Sequence, residues 1–229
     1  RRGAQAVAVR RTLLLSLAVC AAVPTLRAQT PPCPAPAPLG AESLLALGRF
    51  WHAERAAPVL PRAPRPVPVR LAVLHARIRA GLERWADVDE VLRRARGADS
   101  VPEAVLLWAT AAERLENSAA AESRYRRLAD LPETPPAMRA VGLVRRAIVL
   151  RVLGRIDSAE AAWRRAAQAM PEIADWFALH RAEVERDTVL AFATVAGART
   201  PGARQRAAAF VGQRRVNARN LAGALEVFR

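Results

Sequence analysis

The residues that could do chemistry are few and far apart. His52, His75 and His180 are the three histidines, and none belongs to an HExxH run or to a Cys/His cluster of the kind that encloses zinc. Each reads as a surface or helix-packing residue. The 229 residues hold no GxGxxG, no glycine-rich phosphate loop ending in Lys-Ser/Thr and no GxSxG elbow. Dinucleotide, phosphate-cradling and serine-hydrolase chemistry therefore have no motif to stand on. Most carboxylates fall at expected helix starts and outer faces, where capping and pairing with arginine account for them. Trp51, Trp85, Trp108, Trp163 and Trp176 could stack on sugar rings. Trp85 and Trp163 also fall within a repeated pattern, which makes core packing their expected role. The sequence thus assigns no catalytic, cofactor-binding or metal-ligating residue, expects no cofactor, and leaves the binding residues and the oligomeric state unassigned.

The elements that would have to position a site are better marked. Just over half the residues are apolar and only 5% are aromatic. Alanine, leucine, valine and arginine dominate, a balance that favours helix over sheet. Alternating runs bounded by Asn-Gly or Asp-Gly turns are missing, so no strand is expected. The formal charge is +15, and all 36 basic residues are arginine. They are scattered along the chain, which suits solvated helix faces and excludes a concentrated nucleic-acid footprint.

The N-terminus has the layout of a secretory signal. "RRGAQAVAVRR" is a positively charged start, "TLLLSLAVCAAV" (12–23) an apolar run, and "PTLRAQT" supplies small residues for cleavage after Ala28. Twelve apolar residues are too few for a helix to cross a bilayer core about 30 Å thick, so no stable membrane span is expected once the signal is removed. A lipoprotein reading through Cys20 meets Val19 where a small residue is wanted. The expectation is an exported, periplasmic protein of charge about +10, whose mature chain keeps Cys33 alone and so has no internal disulfide framework. The chain lacks an initiator Met and stops inside an apolar helical pattern at "GALEVFR", which reads as truncation at the C-terminus.

Segmentation follows the prolines. Residues 1–28 are the signal peptide and 29–40 a proline-rich linker. Residues 41–60 form a first helical unit, 61–69 a second proline-rich linker, and 70–229 the helical repeats. Helix starts are expected at Ser100 with Glu103, at Asp157 with Glu160, and at Thr134-Pro135 and Thr200-Pro201.

Repetition is the main signal. "LGRFWHAERAAPVL" (47–60), "LERWADVDEVLRRA" (82–95), "LENSAAAESRYRRL" (115–128) and "LGRIDSAEAAWRRA" (153–166) align. Ala53, Val88, Ala121 and Ala159 share a column at steps of 35, 33 and 38 residues. Leu92, Tyr125 and Trp163 share a second column, and Ala95, Leu128 and Ala166 a third. "NLAGALEVF" (220–228) repeats the shape two steps further on, with Ala224 and Phe228. A period near 34 residues is that of a helix–turn–helix solenoid. A small residue lets paired helices approach, a large one a turn later fills the gap to the next unit, and proline stops the second helix. The expected fold is all-α: a right-handed superhelix of antiparallel helix pairs, tetratricopeptide-like.

Residues 172–228, with Ala174-Asp175-Trp176, Leu179 and Arg181 on one helix, the "TPGARQRAAAF" helix and the "NLAGALEVF" pair, resemble the helical superhelix of soluble lytic transglycosylases. Those are periplasmic enzymes that cleave the glycan strands of peptidoglycan. The resemblance extends loosely over 41–229 and implies a non-catalytic scaffold region acting with peptidoglycan or other cell-envelope proteins. The family's catalytic Glu precedes Ser, with a Gly-Leu-Met-Gln segment further on. Glu42-Ser43 and Glu122-Ser123 have no such segment after them, so neither glutamate is assigned a catalytic role, and a catalytic domain is expected beyond Arg229. The alternative is a stand-alone exported repeat protein that binds protein partners in a groove.

Overall fold

The computed structural model describes residues 39–228. The expected signal peptide, Cys20, Cys33 and most of the 29–40 linker lie outside them. Among the described residues the protein is all-α, with twelve α-helices, two short 3₁₀ turns and no strand beyond an isolated bridge. The helices form six consecutive pairs. These are α1 (Ala41–Ala46) with α2 (Phe50–Ala56), α3 (Val69–Gly81) with α4 (Trp85–Arg93), and α5 (Pro102–Arg114) with α6 (Ser118–Asp130). Then follow α7 (Pro136–Val152) with α8 (Ile156–Ala169), α9 (Ala174–Glu185) with α10 (Thr188–Gly197), and α11 (Pro201–Asn217) with α12 (Leu221–Phe228).

One turn builds all six pairs. Gly48, Glu83, Glu116, Gly154, Arg186 and Arg219 each adopt a left-handed conformation, with φ between 55° and 73°. The next residue's N–H then reaches back to the first helix: Arg49 to Leu44, Arg84 to Arg79, Asn117 to Ala112, Arg155 to Leu150, Asp187 to Ala182 and Asn220 to Arg215, all at 2.8–2.9 Å. This bond satisfies a carbonyl orphaned at the helix end. Glycine takes the conformation freely at 48 and 154, whereas Glu and Arg adopt it elsewhere at a strain of about 1 kcal/mol or more.

Five residues past each turn lies the small column: Ala53, Val88, Ala121, Ala159, Ala191 and Ala224, none more than 3% exposed. Ala191 fills the double step left between Ala159 and Ala224. Small residues on the first helices meet this column. Ala76 and Val88, Ala109 and Ala121, and Ala147 and Ala159 each share a core cluster. The large column faces the following pair: Tyr125 packs with Val149 of α7, and Trp163 with Phe177 of α9. Gly142 marks the closest approach of α7 to α6, since a Cβ there would sit 2.8 Å from Leu128.

The proline-rich run before α3 is pinned at its end. Val67 is fully buried and bridges to the chain after α4, donating to Arg94 O and accepting from Arg96 N. Leu44, Leu45 and Ala53 of the first pair share a cluster with Ile78 of α3.

Three of the expected helix starts are corrected. Ser100 lies in a 3₁₀ turn, and α5 begins at Pro102 behind Val101 with no side-chain cap. Helix α8 begins at Ile156 behind Arg155, so Asp157 sits inside its first turn, and Glu160 bonds Arg181 rather than the helix end. Thr134 precedes the N-cap Pro135, and its buried hydroxyl donates to Leu128 O at 2.8 Å. Thr200 does precede Pro201 at the start of α11, but its side chain caps nothing. Asp175 of α9 instead accepts the N–H groups of Arg199 and Thr200 at 2.7 and 3.0 Å.

Candidate functional site

One recurring set of first-helix positions lines clefts between the pairs. Counted back from each turn residue, positions 13, 10, 9 and 6 supply Arg70, Val73, Leu74 and Arg77 on α3. On α7 they supply Val141, Val144, Arg145 and Ile148. The same count on α9 gives Trp176, Phe177 and His180. The α3 set lines a cleft of about 440 Å³ together with Glu103 of α5. The α7 and α9 sets line a larger one of about 880 Å³, closed on one side by Arg206 of α11.

First helices touch between pairs one and two, two and three, three and four, and five and six. Between the fourth and fifth pairs that contact is weaker, and α7 and α9 together line the larger cleft. Its wall is apolar and wet. Val141 is 48% exposed, Trp176 39% and Val184 40%, whereas neighbouring Leu143, Ala147 and Leu179 are buried. The charges at its rim are spoken for: Arg145 pairs with Glu113 at 3.3 Å and Arg206 with Glu183 at 3.0 Å. The cleft is therefore suited to apolar and aromatic contact. It holds no nucleophile activated by a base.

A second regularity joins the pairs. One residue after the small column stand Glu54, Asp89, Glu122 and Glu160, and each clasps an arginine of the following pair. Glu54 accepts from Arg84 at 2.7 Å, Asp89 pairs with Arg124 at 3.1 Å, and Glu122 takes Arg146 through both Nε and an Nη at 2.9 and 2.8 Å. Glu160 meets Arg181 at 2.8 Å, and Arg181 also pairs with Glu185. Fork-to-carboxylate geometry of this kind is directional as well as attractive. At the second clamp, Trp108 Nε1 donates to Asp89 at 2.7 Å and the Arg124 guanidinium lies 4.2 Å from the Trp108 ring centre. Burial pushes the Asp89 carboxyl up. Hydrogen bonds from Arg93 and Trp108 and the charge of Arg124 outweigh it and hold the group below its usual range.

The clamp column ends after the fourth pair. In the fifth and sixth its place is taken by Phe192 and Leu225, 48% and 58% exposed. An arginine of the sixth pair lies over the first of them: the Arg215 guanidinium is 5.4 Å from the Phe192 ring centre. An opening of about 680 Å³ remains there, lined by Val189, Phe192, Val211, Arg214, Arg215 and their neighbours.

The residues singled out from sequence alone do not converge. His52 is exposed. His75 is buried, with Nε2 at 2.8 Å from Pro58 O. His180 borders the larger cleft and meets Trp163 edge-on at 6.0 Å. Among the described residues, no group of three or more His, Cys, Asp or Glu could hold a metal ion. Glu42 is exposed beside the smaller cleft, and Glu122 is buried in its clamp. Trp163 is 4% exposed and Trp85 half-buried, while Trp51 is 62% exposed beneath Arg84. Trp176 is the tryptophan that lines the larger cleft. The clamp acids carried a usable signal, since Glu54, Asp89, Glu122 and Glu160 recur at the same steps as the small column. The cleft lining recurs in position but not in residue type, Val141, Val144 and Ile148 on α7 against Trp176, Phe177 and His180 on α9, so no motif announced it. No helix among the described residues is long and apolar enough to cross a membrane.

No protein-family model, curated protein or solved structure matches the chain.

Proposed function

We propose that this protein is a non-catalytic scaffold that holds a segment of a protein partner along its first-helix face, in the cleft between α7, α9 and α11. In this reading the six pairs stack antiparallel into a right-handed, tetratricopeptide-like superhelix. The observation that carries the reading is the group Val141, Trp176 and Val184, apolar side chains left 48%, 39% and 40% exposed around a cleft of about 880 Å³. Contiguous exposed apolar surface of this kind marks interaction sites, and a buried aromatic anchor typically carries most of an interface's energy. A photo-crosslinking amino acid at position 141 should trap a protein in cells expressing the full chain, and Trp176→Ala should abolish the adduct. Absence of any adduct at 141 and 184 would overturn the reading.

A second reading is contact with cell-wall glycan, as the helical part of an exported lytic transglycosylase. It is favoured by the half-exposed indole of Trp176, because indoles stack on sugar faces. Co-sedimentation of the chain with purified murein, lost in Trp176→Ala, would support it. Both readings take the protein as exported. An alkaline phosphatase reporter fused after residue 60 should then be active, and an inactive fusion would sink that element.

A further inference from the structure

The opening between the fifth and sixth pairs lies outside the proposed first-helix cleft and has its own chemistry. In the second, third and fourth pairs, the second helix carries an acid and, three residues on, a large apolar residue: Asp89 with Leu92, Glu122 with Tyr125, Glu160 with Trp163. The acid clasps an arginine of the next pair, and the apolar residue is no more than 4% exposed. In the fifth pair the acid's place is held by Phe192, and the Arg215 guanidinium of the sixth pair lies 5.4 Å from its ring centre. Arg215 donates to Gly223 O at 2.5 Å and reaches a carboxylate, that of Glu226, only at 3.7 Å, with the Glu226 side chain 78% exposed. Arg214 makes no ion pair among the described residues. The wall of the opening combines Arg214 and Arg215 with apolar Val189, Phe192 and Val211, and no carboxylate lines it.

We infer that this opening is a docking site for an amphipathic helical segment of a partner protein carrying an acid and, three residues later, a large apolar residue. The partner's side-chain carboxylate pairs with Arg215 and Arg214 beside Phe192. Its apolar residue covers Phe192 and Val189. The segment supplies in trans the acid and apolar residue that the preceding interfaces carry in their own second helices. Charge complementarity selects the occupant: two arginines and no acid favour an acidic helix over a second copy of this basic chain.

The test uses end-blocked, fluorescently labelled nonapeptides with Glu-x-x-Leu at their centre, titrated with the full chain and followed by anisotropy. The Glu peptide should bind at least tenfold more tightly than its Gln twin, and binding should weaken as salt rises. Arg215→Gln should weaken binding at least fivefold. Phe192→Glu, which restores the acid of the repeat, should weaken it as much while leaving the melting temperature unchanged or higher. Trp176→Ala should leave the affinity unchanged, which separates this site from the first-helix cleft. Equal affinity for the Glu and Gln peptides would overturn the inference, as would undiminished binding by Phe192→Glu. Equal binding by a peptide whose sole carboxylate is its C-terminus would overturn the assignment to a side chain.

Discussion

The first four pairs and the last two share a turn and a small column but are joined differently. Along the first four, an acid from each second helix clasps an arginine of the next pair, and in the second to fourth the large column, Leu92, Tyr125 and Trp163, is buried beside it. In the last two, Phe192 and Leu225 stand where the acids were. Phe228, in the same column as the fully buried Leu92 and Tyr125, is 59% exposed. The turn and the small column accompany every pair, whereas the acid accompanies only the first four, and α10 still packs closely on α11 without it. Pairing and joining are carried by different residues.

Substitution should separate those jobs, with the largest effect in the large column. Tyr125→Ala leaves a cavity beneath Val149 and removes the phenol that donates to Glu113 at 2.6 Å; it should cost about 3–5 kcal/mol by denaturant unfolding. Phe228→Ala, at the same column, should cost less than about 1 kcal/mol. Comparable losses at the two sites would erase the contrast. Glu122→Ala should come next, at about 3 kcal/mol, because it strands the Arg146 guanidinium in an interior where both partners are largely buried.

Acid should act on the clamps as well. The Asp89 carboxyl is held below its usual range, so its contribution is complete above the unfolded-state value of about 3.9 and is lost as pH falls through the folded value. Amide exchange at the α4–α5 contact should accelerate below about pH 4, and Asp89→Asn should remove that dependence. Asp175 is lowered chiefly by the backbone N–H of Thr200, with Arg199 adding to it. The start of α11 should therefore loosen in the same acid window, while the Phe192–Arg215 contact should not respond. The smallest effects belong to the shared turn. Glu116→Gly should stabilise by roughly 0.5 kcal/mol by relieving the left-handed strain, whereas Gly154→Ala should destabilise by about 1 kcal/mol. Arg186→Gly and Arg219→Gly, in the last two pairs, should stabilise as much as Glu116→Gly does, which would confirm that the turn does not distinguish the two regions.

The repeat was legible because its small column is chemically distinctive: alanine or valine at regular steps with a large apolar residue four places on. Its fifth copy was hidden. Phe192 stands where the other copies place an acid, and Val195 is a modest occupant of the large column. Helix starts misled for a related reason. Ser100, Asp157 and Thr134 have the right side chains for capping, but the left-handed turn and the prolines had already set where the helices begin. Glu160 illustrates the loss. Read locally it caps a helix, yet its partner Arg181 lies 21 residues away on another pair. The cleft between α7 and α9 is lined by helices of separate pairs, which no single helix encodes.

The six identical turns bear on how the chain reaches its shape. Each closes a connection of a few residues, and every substantial helix contact joins neighbours or next neighbours along the chain. The mean sequence separation of contacts is therefore small, the condition under which helical proteins fold in microseconds to milliseconds. No distant strand must be found and no long loop closed before the first native contacts form. Any pair can serve as the seed, and growth from it in either direction adds one hairpin at a time.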